Sequence, residues 1–144
     1  MNSRGQEFAG FRLLIDAVMV LFILVIIIGI LTWVDSQRFT ISEKRFYESF
    51  SKAVNSPNGQ VVVEKNMSFS AGSYYLNGAF AIPGIPKECI TFQALNLRSI
   101  DLGEDGKYVG IEENVVLDVF YRCQRLFDED CDIKCEISIG KDFS

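Results

Sequence analysis

The sequence predicts an α+β protein: a long N-terminal transmembrane helix, a short amphipathic helix, and an antiparallel, β-rich, sandwich-like domain. Three observations support this class. Residues 17–34 contain no charged side chain and consist mainly of Ile, Val and Leu. Residues 42–54 repeat apolar side chains at helical spacing. From Gln60 onward, apolar and polar residues alternate in short runs that are separated by turn residues.

The apolar stretch is long enough to cross a membrane as one helix. Its length corresponds to about 27 Å of helix, close to the ~30 Å hydrocarbon core of a bilayer. Its β-branched residues do not prevent this, because a single segment in lipid can satisfy its backbone hydrogen bonds only as a helix. Trp33 lies where an interfacial anchor belongs, and Asp35 and Arg38 mark the return to water. The lipid bilayer is therefore the first predicted partner, with residues 1–12 as leader or flank and residues 13–35 as the spanning helix.

Residues 36–144 are predicted to form one small domain, since that length suffices for a single hydrophobic core. The full chain has a formal net charge of -5 and no basic cluster, which argues against nucleic acid as a partner. It contains no His, which excludes a His-based catalytic triad and a His-containing metal site. No nucleophile–base pair, phosphate-binding loop or pair of catalytic carboxylates can be identified. We therefore expect no enzymatic activity, no cofactor and no metal.

Arg12 and Asp16 lie four residues apart at the start of the apolar stretch and share a helix face. One interpretation is that Arg12 reaches the lipid headgroups while Asp16 lies just beneath them. The other is that Asp16 contacts a neighbouring helix, because carboxylates at that depth usually face protein. Under the second interpretation, the two residues form a helix–helix contact on the same or an adjacent helix.

The residues before the span, Ser3-Arg4-Gly5-Gln6, resemble the class III signal of archaeal type IV pilin-like proteins. In that family a prepilin peptidase cuts between a Gly and the following residue and leaves the apolar helix on the mature protein. The resemblance implies a cut between Gly5 and Gln6, and self-association of the helix or its packing with other pilin-like membrane subunits. The chain departs from the pattern at Gly10, because many members carry Glu at that position of the mature protein.

The sequence contains two opposing signals for the side of the membrane on which the C-terminal domain lies. Two arginines precede it and four basic residues follow it between Arg38 and Lys52, which alone favours a cytoplasmic C-terminal domain. The cysteines of that domain and the pilin-like signal favour the other side, because disulfides persist in oxidising compartments. We therefore predict a single-pass membrane protein whose C-terminal domain is extracytoplasmic and, as the resemblance implies, displayed in a cell-surface filament.

Residues 42–54 are predicted to form the short amphipathic helix. Ser42 is the predicted N-cap, and Phe46, Phe50 and Val54 recur every four residues on one face. Charged residues occupy the other face. We expect the aromatic side chains to pack against the following sheet rather than to bind a ligand, and the turn sequence Ser56-Pro57-Asn58-Gly59 to end the helix.

Six to eight short strands are predicted after this helix. The candidate segments are residues 60–64, 67–69, 74–81, 89–94, 97–102, 107–111, 114–124 and 133–139. The last segment alternates Ile or Cys with polar residues, as expected of a half-buried strand. Many short strands without a further helix favour an antiparallel sandwich or a barrel-like sheet.

Four cysteines, Cys89, Cys123, Cys131 and Cys135, lie in the C-terminal domain. An even number in a small membrane-tethered domain predicts two disulfides, with three possible pairings. Cys123 and Cys131 bracket a short loop, so we favour a bridge between them, which leaves Cys89 for Cys135. Zinc binding is an alternative, although only Cys131 and Cys135 have the close spacing of zinc ligands. Free buried thiols are the other alternative.

Two surface features of the C-terminal domain lead to further hypotheses. Asn66-Met67-Ser68 matches the N-glycosylation sequon, which would be used only outside the cell. Asp128, Glu129, Asp130 and Asp132 crowd one loop. They lack the spacing and the glycine of a known calcium loop, so we expect a solvated acidic loop rather than a cation site.

The predicted function is that of a membrane-anchored, pilin-like structural or binding subunit that displays a disulfide-bonded β domain outside the cell. Three observations support it: the Gly5-Gln6 junction before a long apolar helix, the order of helix and then strands, and the lack of catalytic residues. The alternative is an uncleaved, single-span accessory or assembly subunit of a larger membrane complex. The first residue of the native protein, Gln6 or Met1, distinguishes the two.

Overall fold

The computed structural model of this chain describes residues 4–126 and 130–143, and of residues 4–7 only the backbone. The chain divides into two compact units, Met1–Arg38 and Phe39–Ser144. One long helix precedes all the strands of the described residues. The predicted α+β class is therefore confirmed.

Within the described residues, helix α1 covers Arg4–Val54 and seven strands follow it. The strands are β1 Val61–Phe69, β2 Tyr74–Leu76, β3 Ile90–Ala94, β4 Ile100–Leu102, β5 Tyr108–Ile111, β6 Val115–Arg125 and β7 Ile133–Ile139. Short 3₁₀-helices lie between some of the strands, at Asn77–Phe80, Lys87–Cys89 and Glu104–Gly106.

Helix α1 is continuous where the sequence predicted two separate helices. The predicted N-cap at Ser42 is wrong, because Ser42 lies inside the helix and its Oγ accepts a hydrogen bond from the backbone N–H of Ser68 at 3.1 Å. No glycine or proline occurs between Gly29 and Pro57, so no residue in this part of the sequence forces a break. The helix ends at Val54, as predicted.

The strands form two sheets, both within the C-terminal unit. One sheet has the strand order β1-β6-β7-β3 and the other has the order β2-β5-β4. Neighbouring strands are antiparallel except β3 and β7, which pair in parallel. Among the described strands, this parallel pair is the one departure from the predicted antiparallel arrangement. Other strands separate β3 from β7 in the chain, so no hairpin fixes their relative direction.

Strand β1 joins two predicted strands into one. Its pairing with β6 shifts register between Glu64 and Met67, which marks a β-bulge. At the bulge Asn66 has a φ of 56°, a left-handed conformation that Asn tolerates better than most residues. The break predicted between residues 64 and 67 is therefore a bulge inside one strand.

Strand β2 is shorter than predicted, because it ends at Leu76 and the chain continues as the 3₁₀-helix Asn77–Phe80. The Asn77 side chain donates a hydrogen bond from Nδ2 to the Lys87 carbonyl at 2.9 Å. This bond holds the chain in the helical turn rather than along the sheet. The bounds of the remaining strands agree with the prediction to within three residues.

The core of the C-terminal unit is centred on Phe46, near the end of α1. Its side chain is 0% exposed, and Phe50 one turn later is also buried, as the helical spacing predicts. Aromatic rings from other elements surround it at these centroid distances: Phe69 (5.6 Å), Tyr75 (5.0 Å), Phe80 (5.1 Å) and Tyr121 (6.0 Å). The Tyr121 hydroxyl also donates to the Phe46 carbonyl at 3.0 Å. Because these rings include side chains from strands of both sheets, Phe46 joins the helix to both. Aromatic pairs of this kind add to the stabilisation from apolar burial.

Truncation of Phe46 is expected to destabilise the C-terminal unit strongly. Phe46→Ala removes a buried ring and leaves a cavity, so we expect the free energy of unfolding to fall by about 3–5 kcal/mol. Urea unfolding of the full-length protein in detergent, followed by near-ultraviolet circular dichroism, measures the change. Ile41→Ala is the matched control, because Ile41 lies on the same helix and is exposed. Equal losses in the two variants would contradict a central role for Phe46.

Candidate functional site

The exposed apolar surface of α1 is the first candidate functional feature. The large apolar side chains from Phe8 to Val34 are between 42% and 80% exposed. A helix that is apolar on every side is suited to lipid or to the interior of a helix assembly. Within the described residues, α1 is the one helix long and apolar enough to cross a membrane. The N-terminal helix is therefore a candidate membrane span of a single-pass protein.

The predicted polar features near the start of α1 lie on its first turns. The Arg12 and Asp16 side chains are both exposed, and the described part of the chain contains no ion pair between them. Their contact with a neighbouring helix stays a prediction. Gly5 and Gln6 lie in the first helical turn, and cleavage between them also stays a prediction.

All four cysteines form disulfides, but the favoured pairing is wrong. The bonds join Cys89 to Cys131 and Cys123 to Cys135. The reason is the register of β6 and β7, which places Cys123 directly opposite Cys135 with Cα atoms 4.1 Å apart. Cys131 lies before β7 and reaches Cys89 at the start of β3, with a Cα–Cα distance of 5.7 Å. Neither zinc binding nor free thiols describes these cysteines.

The two bonds are expected to contribute unequally to stability. They join residues 42 and 12 positions apart, so chain entropy predicts losses of about 4 and about 3 kcal/mol when each is removed. The double variants Cys89→Ser/Cys131→Ser and Cys123→Ser/Cys135→Ser, unfolded in urea as full-length proteins in detergent, measure these losses. Peptide mapping without reduction checks the pairing first. A peptide crosslinked between Cys123 and Cys131 would contradict it.

An ion-pair cluster attaches the end of α1 to β1. Arg45 Nη2 lies 2.6 Å from Glu64 Oε2, and Lys52 Nζ lies 3.7 Å from Glu64 Oε1. The Glu64 side chain is 16% exposed, and this burial by itself raises its pKa. The hydrogen bond from Arg45 and the charges of Arg45 and Lys52 outweigh the burial, so the pKa of Glu64 lies below its ordinary value of 4.5.

The stabilising effect of Glu64 is expected to depend on pH. Because folding lowers its pKa, the contribution is complete above the ordinary pKa and is lost as the pH falls through the lower folded-state value. We expect Glu64→Gln to lower the free energy of unfolding by about 1 kcal/mol at neutral pH, since Arg45 is partly exposed.

Urea unfolding over a series of pH values measures this effect. The wild type and the Glu64→Gln variant are expected to converge in strongly acidic solution, where Glu64 is protonated. Glu48→Gln is the control, because Glu48 pairs with Lys44 on the exposed side of the same helix. A constant difference between wild type and Glu64→Gln at every pH would contradict the assignment.

The structure describes only some residues of the remaining predicted surface sites. Asn66 is exposed at the bulge of β1, and its backbone N–H donates to Asp118 Oδ1 at 2.9 Å. Its glycosylation stays a prediction. Of the acidic loop, Asp128 and Glu129 lie outside the described residues, whereas Asp130 and Asp132 are exposed. Among the described residues, no group of three or more Asp, Glu or Cys side chains is placed to hold a metal ion.

A surface cavity of about 410 Å³ opens beside β3 and is lined by Asn77, Lys87, Glu88, Ile90, Thr91, Asp105 and Lys107. Three of its polar side chains have partners within the chain. Asn77 is hydrogen-bonded to the backbone across the cavity, and Lys107 Nζ lies 3.8 Å from Asp105 Oδ2.

The outer face of the three-stranded sheet carries a feature that the sequence analysis did not predict. Tyr74 and Leu76 of β2 are 67% and 58% exposed. The rings of Tyr74 and Tyr108 lie 6.2 Å apart on this face. The available signal was Gly110, because a glycine inside a strand often marks a close approach to the backbone.

The N-terminal helix and the disulfide-bonded sheets are the features from which a function must be argued. No family model, curated protein or solved structure matches this chain. The pilin-like interpretation therefore depends on the residues before the span and on the long apolar helix itself. That combination is consistent with a membrane-anchored surface domain.

Proposed function

We propose that this chain is a membrane-anchored, pilin-like structural or binding subunit that displays a disulfide-bonded β domain outside the cell. The observation that carries the proposal is the continuity of α1. The same helix supplies an apolar segment from Phe8 to Val34 and the buried side chains Phe46 and Phe50 of the β unit. A subunit built in this way couples assembly through its helix to display of its domain.

The apolar surface of the helix supports assembly as well as anchoring. Side chains exposed on every side can be covered by lipid or by copies of the same helix, and either environment removes them from water. Under this proposal Asp16 contacts Arg12 of the same or an adjacent helix, because a carboxylate at that depth gains from a protein partner.

The residues before the span support processing by a prepilin peptidase. Ser3-Arg4-Gly5-Gln6 lies shortly before the apolar segment, as in the class III signals that it resembles. Cleavage after Gly5 would leave Gln6 as the first residue of a mature subunit that retains the whole apolar segment. The helix would then be available for packing in a filament.

The disulfides support an extracytoplasmic domain. Both bonds are formed in the folded chain, and bonds of this kind persist in oxidising compartments. The positive charges that follow the span favour the opposite orientation. We give the disulfides more weight, because both bonds lie within the folded domain and together they use all four cysteines.

The second candidate function is an uncleaved accessory or assembly subunit that stays in the membrane within a larger complex. Gly10 favours it, because many pilin-like proteins have Glu at that mature position. For both candidates we propose a role without catalysis, in agreement with the lack of His and of a nucleophile–base pair in the sequence.

Processing is tested by the mass of the native N-terminal peptide, purified from membranes of the source cells. We expect a chain that begins at Gln6, and we expect Gly5→Val to block cleavage and retain residues 1–5. Gly10→Ala is the matched control, because a methyl group at Gly10 meets no atom within 4 Å. A wild-type chain that retains Met1 through Gly5 would favour the accessory subunit.

Filament assembly needs a separate measurement. Appendages sheared from cells are expected to contain the mature chain, identified by mass spectrometry and by electron microscopy with antibodies against the β unit. The Gly5→Val variant is expected to remain in the membrane fraction. If the cleaved wild-type chain also stays entirely in the membrane fraction, the filament role is wrong and only the pilin-like processing survives.

A further inference from the structure

Three side chains form an aromatic and apolar surface on the three-stranded sheet, which we term the tyrosine platform: Tyr74, Leu76 and Tyr108. Leu76 pairs with Tyr108 across β2 and β5, so the two side chains share a face. The opposite face of the same strands is the core face, where Tyr75 and Val109 are buried. The tyrosine platform is therefore on the outer face of the sheet.

Two glycines form the floor of the tyrosine platform. The Tyr74 ring lies across Gly110, with Cε1 3.0 Å from the position that a Cβ would take there. The Tyr108 ring occupies the corresponding space at Gly103, with Cδ1 2.3 Å from that position. Any side chain at these two positions would push the rings away from the sheet. The glycines thus let the tyrosines lie against the backbone, and Tyr74 presents its other side to solvent.

Carboxylates flank the tyrosine platform. Asp101 of β4 pairs with Gly110, the residue that the Tyr74 ring covers, so the register places Asp101 on the same outer face. Glu112 directly follows β5, and its backbone N–H donates to the Ser99 carbonyl at 2.9 Å, so the pairing with β4 extends to this residue. The alternation of a strand then assigns Glu112 to the outer face. Both side chains are exposed. This face therefore combines aromatic rings with negative charge, and both features attract cations.

On the four-stranded sheet, an arginine of this chain already contacts an aromatic ring and a carboxylate together. There Arg122 donates a hydrogen bond to Glu136, and its guanidinium lies 4.4 Å from the centroid of the Phe143 ring. A planar guanidinium can stack on a ring and donate to a carboxylate at the same time. The tyrosine platform offers the same two partners, a ring and a carboxylate, on an open surface.

We propose that the tyrosine platform binds an arginine-bearing segment of a partner polypeptide. One guanidinium stacks on the exposed side of Tyr74 and donates to Asp101, while the chain of the segment covers Leu76 and Tyr108. This identifies the chemistry of a partner for the β unit, and it does not depend on cleavage or on filament assembly.

Charge decides between this partner and a neutral saccharide. A sugar would also stack on tyrosine, but it would leave the negative charges of Asp101 and Glu112 without an opposite charge. A guanidinium neutralises one carboxylate and uses the ring as well. The hydroxyl groups of a saccharide can also donate to the carboxylates, but the arginine-bearing segment alone adds the opposite charge to the contact with the ring.

Binding is tested with the full-length protein in detergent micelles and a fluorescent synthetic peptide in which arginine alternates with glycine. The reference peptide has citrulline in place of arginine, which keeps the planar shape and removes the charge. We expect saturable binding of the arginine peptide, which weakens as salt rises, and weaker binding of the citrulline peptide. A matched lysine peptide is expected to bind between the two, because an ammonium group cannot stack as a plane.

Variants locate the site. Tyr74→Ala is expected to weaken binding of the arginine peptide about two- to fivefold, as an exposed cation–π contact predicts. Gly110→Ala keeps both tyrosines but lifts the Tyr74 ring by a few tenths of an ångström, and Asp101→Asn removes the charge alone. Both are expected to weaken binding. Val116→Ala and Glu48→Gln, exposed positions away from this face, are the controls.

The outcomes separate the proposal from its alternatives. Weaker binding by the tyrosine-platform variants with unchanged controls, together with a wild-type urea midpoint for Gly110→Ala, supports it. Equal affinity for the arginine and citrulline peptides overturns it, as does wild-type affinity in both Tyr74→Ala and Gly110→Ala. Binding of a neutral oligosaccharide without binding of the arginine peptide would assign the face to a saccharide instead.

Discussion

Burial of the Phe46 ring is the interaction on which the C-terminal unit depends. The ring contacts side chains from both sheets, and the hydrogen bond from Tyr121 to the Phe46 carbonyl fixes the helix against β6. The Arg45–Glu64 pair adds a polar contact to β1 on the solvent side of the same helix. The last turns of α1 are therefore part of the β unit's core. A fragment that begins at β1 would lack this central side chain, and the compact C-terminal unit accordingly includes the end of the helix.

The disulfides supply what the strand connections do not. Strand β3 is parallel to β7 and has no hairpin to hold it at the edge of the four-stranded sheet. The Cys89–Cys131 bond ties the residue before β3 to the segment before β7, so both strands start from a common covalent point. The Cys123–Cys135 bond locks the neighbouring antiparallel pair in register. Together the bonds limit the relative sliding of three strands, which a small core would resist only weakly.

The sequence alone predicts the elements whose signals are local. Three patterns each predict the structure of the segment in which they occur: the uncharged run from Ala17 to Val34, the spacing of Phe46 and Phe50, and the alternation of β7. Pairings between distant segments leave no such trace. The partner of Cys135 depends on the register of β6 against β7, and the parallel direction of β3 depends on the path of the chain through the other sheet. For the tyrosine platform the sequence offered one signal, Gly110, but not the side chain that lies across it, which is Tyr74 of another strand.

The apolar helix and the β unit can each bind other molecules, but through different interactions. An apolar helix surface packs in lipid mainly through van der Waals contacts and gives little selectivity among partners unless polar side chains are added. Arg12 and Asp16 are the polar side chains available for that purpose at the start of the span. The β unit instead presents rings and carboxylates whose arrangement selects a partner by charge and shape. Under the proposed function, the helix brings subunits together and the surface of the folded domain selects the partner that they bind. That surface exists only while the domain is folded, so recognition depends on the stability of the core around Phe46.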